Sequence, residues 1–137
     1  MATFYCSGQN GNDSNNGTTV ALARKTIDSA LSLLSAGDTL YIGPATYREL
    51  MTTGDFTAGS GINSETKIIG DPDCAIFKGE LPGPVRITQK DIHEKSQSSP
   101  AYSIACNSNH IHFHNLFIEG PGATAVSTTG NSAADSG

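Results

Sequence analysis

The chain has 137 residues, a formal net charge of −5 and 15% charged residues. This length suits a single domain, and the acidic balance without a basic stripe argues against nucleic-acid binding. No apolar run approaches the roughly 20 residues of a membrane span, and no basic segment followed by an apolar run opens the chain. We therefore expect a protein made in the cytoplasm without a signal peptide and with no membrane partner.

The first elements along the chain are a short strand, a loop and a helix. The opening strand "TFYCSG" is followed by "QNGNDSNNGTT", which predicts a loop because this polar stretch has nothing to bury. Apolar residues then recur at i, i+3, i+4 and i+7 from Ile27 to Leu34, and Thr26 is a suitable N-cap. The pattern predicts a helix over about 26–36, ended by Gly37.

After the helix the apolar residues alternate with a period of two, which predicts strands. The 15 glycines and the many Ser, Thr and Asn residues favour the same all-β class. The spacers between strands are too short for repeated hairpins but long enough to turn a corner. This pattern is typical of a solenoid, with one coil in about two dozen residues. The predicted strands lie in "DTLYIG", "ETKIIG", "CAIFKG", "PVRIT", "AYSIAC", "HIHF" and "NLFIEG".

The sequence predicts one short solenoid domain over residues 1–127, with about three coils. The helix is amphipathic, so it can cover the open end of the first coil. Residues 128–137 have no apolar face and are expected to form a flexible polar tail. Because three stacked repeats are about the lower limit for a self-supporting stack, we expect a partner at the uncovered end, most simply further copies in a homotrimer.

Four segments carry a family resemblance: "NGNDSNNGT", "RKTIDSALSLLSAGDTLYIGPATYRE", "TKIIGDPDCAIFKG" and "NHIHFHNLFIEG". Together they resemble the N-terminal part of right-handed parallel β-helix proteins of the pectate-lyase-like superfamily. The resemblance covers roughly residues 3–120 and consists of caps, corners and core positions, so it implies a fold more than an activity. Ala45 departs from the family pattern, which usually has glycine at this corner.

Three of the four histidines stand at alternate positions in "HIHFHN". In a strand, His110, His112 and His114 share one face while Ile111 and Phe113 share the other. Because the apolar pair must face the core, we expect the histidines on the outer face as interface or ligand-contact residues. A metal site is the weaker alternative, because three imidazoles in a line do not easily enclose one tetrahedral ion. We therefore expect no metal and no cofactor.

The catalytic candidates are few. Polysaccharide lyases of the resembling family carry a strand arginine or lysine as base, which makes Arg86 in "PVRIT" a weak candidate. Such lyases often hold Ca²⁺ with acidic residues, but Asp71 and Asp73 in "GDPD" suit a turn better. No nucleophile motif or carboxylate pair stands out, and the three cysteines lack metal-site spacing, so they are expected to be small buried hydrophobes.

The expected function is that of a non-catalytic structural protein. The resemblance implies a bacteriophage virion component, either a head decoration (cement) protein or a tail-spike segment, acting on the virion surface through self-association and contacts with a capsid or tail protein. Two alternatives stay open. In the first, the chain is the N-terminal part of a polysaccharide lyase or hydrolase whose catalytic coils lie beyond residue 137. In the second, it is a carbohydrate-binding module whose partner is a polysaccharide.

Overall fold

The computed structural model of the chain describes residues 2–49, 57–61, 64–88, 104–106, 110–118 and 126–128. These ranges contain one α-helix, one turn of 3-10 helix and nine short strands. No helix within them has the length and apolarity to cross a membrane. The helix α1 is Ile27–Leu31, the 3-10 turn is Val20–Leu22, and the strands are β1 (Thr3–Cys6), β2 (Thr39–Ile42), β3 (Ala45–Arg48), β4 (Thr66–Gly70), β5 (Val85–Thr88), β6 (Ile104–Cys106), β7 (Ile111–His114), β8 (Phe117–Ile118) and β9 (Val126–Thr128).

Every strand pair in the described part of the chain is parallel. The first sheet has the order β1-β2-β4-β7, the second β3-β5-β8, and the third β6-β9. The chain passes from the first sheet to the second three times, at β2–β3, β4–β5 and β7–β8, and twice continues to the third. The result is a β-rich fold in which successive strands stack in parallel on earlier ones.

The apolar core lies where the inward side chains of the first two sheets meet α1. The register places like beside like, because Leu40 pairs with Ile68 and Ile68 pairs with Phe113. Val85 and Ile87 of β5 complete the period-two pattern, and each is only 1% exposed. Burying such an aliphatic side chain stabilises the fold by about 1.5–3 kcal/mol. The buried core cluster comprises Cys6, Ile27, Ala30, Leu31, Leu34, Leu40, Ile42, Tyr47, Ile68, Val85, Ile87 and Ile111.

The helix begins where the sequence predicts but is shorter. Thr26 is the N-cap, and its hydroxyl accepts a hydrogen bond from a first-turn backbone amide. The predicted helix over about 26–36 ends instead at Leu31, because backbone amides in the next turn bond to carbonyls three residues back. The carboxylate of Asp38 then accepts the backbone N–H of Ser35 at 2.8 Å. This side-chain acceptor replaces a helical carbonyl and directs the chain into β2.

The predicted strand in "CAIFKG" is wrong, because residues 74–79 form a loop between β4 and β5. The carboxylate of Asp71, which is 6% exposed, accepts hydrogen bonds from the backbone amides of residues 75–77 at 2.8–2.9 Å. These bonds occupy the amides that a strand would use for pairing. Cys74 has φ 57°, outside the strand region. Asp71 thus has the turn-forming role that its position predicts.

One edge of the first sheet is covered by the chain itself. Arg24 forms an isolated parallel bridge with Cys6, and its backbone N–H donates to the Tyr5 carbonyl at 3.0 Å. The Ser7 N–H donates to the Arg24 carbonyl at 2.7 Å, and the Tyr5 N–H donates to the Gly17 carbonyl at 2.8 Å. At the opposite edge, β7 has no hydrogen-bonded strand beyond it among the described residues.

Two strands, β3 and β9, lie outside the predicted strand segments. In β3 the inward positions are Ala45, which is half-buried, and Tyr47, which is buried, so its apolar alternation is weak. The strand β9 includes Thr128, the first residue of the predicted polar tail. Residues 129–137 lie outside the described residues, and the domain boundary at residue 127 stays a prediction.

Candidate functional site

The outward side chains of the first sheet form two rows that cross its four strands. Because neighbouring strands lie about 4.8 Å apart, residues that pair in register stand side by side along each row. We name these two rows the outer face. One row is Thr3, Thr39, Lys67 and His112, and the other is Tyr5, Tyr41, Ile69 and His114. The outer face therefore presents hydroxyl, ammonium and imidazole groups beside a strip of aromatic and aliphatic groups.

His112 and His114 close the two rows on β7. Both side chains are exposed, whereas Ile111 is 6% exposed and Phe113 packs against the core. The predicted outward orientation is confirmed for these two histidines. Their ring centroids lie 5.7 Å apart, with the ring planes tilted by 37°. The register places Lys67 beside His112 on the neighbouring strand.

His110 differs from the other two histidines. It precedes β7, which begins at Ile111, and its φ of 57° is left-handed. Its backbone carbonyl accepts the N–H of Thr66 at 3.0 Å, and its side chain is half-buried. The strand alternation that orients His112 and His114 therefore does not extend to His110.

Two tyrosines form the other end of the outer face. Tyr5 and Tyr41 are register partners, and their rings stack with centroids 6.0 Å apart and planes 21° from parallel. The buried ring of Phe77, from the loop between β4 and β5, meets Tyr5 edge-on at 6.1 Å. These tyrosines are not among the residues that the sequence predicts to be functional. Strand alternation could have identified the outward direction of Tyr41, because in "TLYI" it lies between two core residues.

The structure places Arg86 on the second sheet, away from the strand that carries the histidine pair. Its neighbours Val85 and Ile87 point inward, as predicted, which turns Arg86 outward. The guanidinium carbon lies 5.2 Å from the centroid of the Phe117 ring, and the two residues pair in register. Phe117 is 49% exposed. This cation–π contact stabilises an exposed aromatic residue on β8.

Two carboxylates hold the start of the helix. Glu49 accepts hydrogen bonds at 2.8 Å from each of the first two backbone amides of α1. Burial raises the pKa of Glu49 even though these bonds act in the opposite direction. Burial also opposes ionisation of Asp13, but hydrogen bonds from the amides of Thr26 and Lys25 and from the Thr26 hydroxyl lower its pKa. Both carboxylates are thus engaged by donors of the chain itself.

A further buried carboxylate belongs to the Glu80 cluster, which we define as Ser7, Asn10 and Glu80. The Ser7 hydroxyl donates to Glu80 Oε2 at 2.5 Å, and the Asn10 side-chain amide donates to the same oxygen at 3.3 Å. Beside the cluster, the Gln9 side chain donates to the Leu81 carbonyl at 3.0 Å and accepts the Leu81 N–H at 3.1 Å. These contacts tie the loop between β4 and β5 to the loop after β1.

The cysteines whose side chains the structure describes, Cys6 and Cys74, are free thiols. Cys6 is fully buried in the core, as predicted, and burial raises the pKa of its thiol. Cys74 is half-buried, and its Sγ contacts the Glu80 carbonyl at 3.4 Å. The side chain of Cys106 lies outside the described residues.

The outer face, with His112 and His114 at its edge, is the candidate functional surface. In the part of the chain that the structure describes, no three His, Cys, Asp or Glu side chains are placed to hold one metal ion. Comparison with protein-family models and with curated proteins finds no match for this chain.

Proposed function

We propose that the chain is a short right-handed parallel β-helix with an N-terminal capping helix. The recurring passage from first to second to third sheet supports this architecture, because β4–β6 and then β7–β9 each place one strand in all three sheets. The hand follows from the strong preference for right-handed connections between parallel strands of one sheet. The buried residues of α1 join the core at the β1 end, as a cap requires. The resemblance to pectate-lyase-like proteins supports the same architecture.

We infer that this β-helix is a non-catalytic structural protein that associates with itself, most simply as a homotrimer. One observation carries the inference: the two edges of the stack differ. The β1 edge is covered by Arg24 and its neighbours, whereas β7 and β8 are edge strands among the described residues and display His112, His114 and Phe117. Edge strands with exposed aromatic groups are suited to contact another chain.

Within this proposal the protein is a bacteriophage virion component, either a head decoration protein or a tail-spike segment, located on the virion surface and bound to a capsid or tail protein. The quoted segments resemble the pectate-lyase-like superfamily of β-helix proteins, which is found in phage virion proteins as well as in polysaccharide lyases, and this supports the choice. The carboxylates of Asp13, Glu49 and Asp71 accept hydrogen bonds from backbone amides, so they hold the fold together, as expected of a scaffold protein. Such a scaffold acts through its surfaces.

Light scattering on the purified chain tests self-association. We expect a mass near three times the 14.2 kDa of one chain. Phe117→Asp should reduce the mass to that of one chain, because it puts a charge at the proposed contact. Leu22→Asp is the matched control. Leu22 is 42% exposed but lies in the 3-10 turn, away from the proposed contact, so this variant should leave the mass unchanged. A wild-type chain that remains a single copy at all concentrations contradicts the proposal.

A second candidate function is carbohydrate binding without cleavage. The stacked pair Tyr5 and Tyr41 favours it, because aromatic rings beside hydroxyl and ammonium groups offer both apolar and hydrogen-bonding contacts to a sugar chain. Affinity electrophoresis against neutral and acidic polysaccharides tests it. Retardation that Tyr41→Ala abolishes and Phe117→Asp preserves supports this function. Release of reducing ends would instead favour the lyase or hydrolase alternative.

A further inference from the structure

The histidine pair on β7 has the arrangement of a two-imidazole chelate. His112 and His114 project from the same face of one strand, both are exposed, and their ring centroids are 5.7 Å apart. With metal–nitrogen distances of about 2.0 Å, two imidazoles on one tetrahedral ion have ring centroids roughly 5 Å apart. Small rotations about the side-chain bonds of these exposed rings therefore suffice to bring both onto one ion.

The surroundings define the class of ion. The outer face carries no carboxylate, and the nearest groups by register are Lys67 beside His112 and Ile69 beside His114. A pair of imidazole nitrogens without carboxylate oxygens suits copper, nickel and zinc and does not suit calcium or magnesium. Two exposed imidazoles fill two coordination positions, so water or another exchangeable ligand must supply the others.

We propose that His112 and His114 together bind one divalent transition-metal ion of the copper, nickel or zinc class on the outer face. The proposal departs from the expectation of no metal, which considered three imidazoles in a line; His110 lies before the strand in a left-handed conformation and is not part of the site. The site consists of two ligands from adjacent outward positions, and it does not depend on the proposed structural function. Copper should bind more tightly than nickel or zinc, following the general affinity order of nitrogen ligands.

The neighbouring ammonium group makes the proposal more specific. Lys67 is exposed and stands beside His112, so its positive charge repels a cation bound there. Replacing Lys67 with alanine should tighten metal binding by roughly twofold to tenfold at low salt, and the gain should shrink as salt screens the charge. A metal bound elsewhere on the chain would not respond in this way.

The experiment is calorimetric titration of the untagged full chain with Cu²⁺, Ni²⁺ and Zn²⁺ chlorides in a non-coordinating buffer. Ca²⁺ and Mg²⁺ chlorides serve as negative controls, for which no binding is expected. We expect one transition-metal ion per chain. His112→Asn and His114→Asn should each weaken binding by at least about tenfold, since even indirect partners of metal ligands contribute that much. His110→Asn is the matched control and should bind the ions as the wild type does, because His110 is not part of the proposed site. Asparagine is chosen because it tolerates the left-handed backbone at this position.

Circular dichroism of each variant tests whether the substitution leaves the fold intact. The proposal is overturned if the double variant His112→Asn/His114→Asn binds the ions as tightly as the wild type, or if the wild type binds none. It is also overturned if His110→Asn loses binding to the same extent as His112→Asn while remaining folded. Tighter binding by Lys67→Ala supports the assigned location, and unchanged binding by that variant at low salt contradicts it.

Discussion

Replacing Asp71 by alanine should destabilise the fold by about 3 kcal/mol, because three backbone amides lose one charged acceptor. The loss is unequal. Ala75 and Ile76 are exposed, so water can replace the carboxylate at their amides, whereas Phe77 is fully buried and its amide loses its acceptor inside the protein. A buried donor without a partner costs about 1–3 kcal/mol by itself. Asp73, two residues on, is exposed, so Asp73→Ala should stay within about 0.5 kcal/mol of the wild type.

The assay is urea unfolding followed by tyrosine fluorescence at one fixed protein concentration, because self-association would otherwise add a concentration term. Tyr5 is a local reporter, since its ring meets that of Phe77 in the loop that Asp71 organises. A free energy of unfolding for Asp71→Ala within about 0.5 kcal/mol of the wild type, the range of neutral surface changes, would refute this role of Asp71. The role is equally refuted if Asp73→Ala is as damaging as Asp71→Ala.

Gly70→Ala should cost about 3 kcal/mol, because its Cβ would lie 2.2 Å from the Asn115 carbonyl oxygen and backbone must shift. Gly61→Ala is the control, since nothing lies within 4 Å of that Cβ; equal thermal midpoints for the two variants would contradict this. Asp13→Asn should flatten the acid limb of the stability curve. The folded pKa of Asp13 is lowered, so its contribution is present above its ordinary value of 3.8 and lost as pH falls through the folded pKa. Urea unfolding between about pH 5 and pH 2 measures this, and an unchanged slope relative to Asp73→Asn would count against it.

Much of the local structure could be predicted because it depends on neighbouring residues. Alternating apolar residues predict β2, β4, β5 and β7 and the inward direction of their core side chains, and the structure confirms both. The N-cap at Thr26 is confirmed for the same reason, since a capping hydroxyl bonds within its own turn. These features need no information about distant parts of the chain.

Other local predictions failed where a polar group competes with secondary structure. The apolar content of "CAIFKG" resembles a strand, but Asp71 captures the amides of that segment. The helix is shortened before Asp38, whose carboxylate also accepts the N–H of Ala2 at 2.7 Å, a contact across 36 positions of sequence. A sequence pattern records that such side chains are present, but it does not record which amides they will reach.

In the candidate site, too, the features set by neighbouring residues could be predicted and those set by distant residues could not. The outward direction of His112, His114 and Arg86 could be predicted, because strand parity is a property of a few consecutive residues. The folded chain was needed to see that Tyr5 stacks on Tyr41, that Lys67 lies beside His112 and that Phe117 lies under Arg86. These contacts depend on register, because the path of the whole intervening chain fixes which residues of stacked parallel strands become neighbours. The intervening segments differ in length from one strand pair to the next.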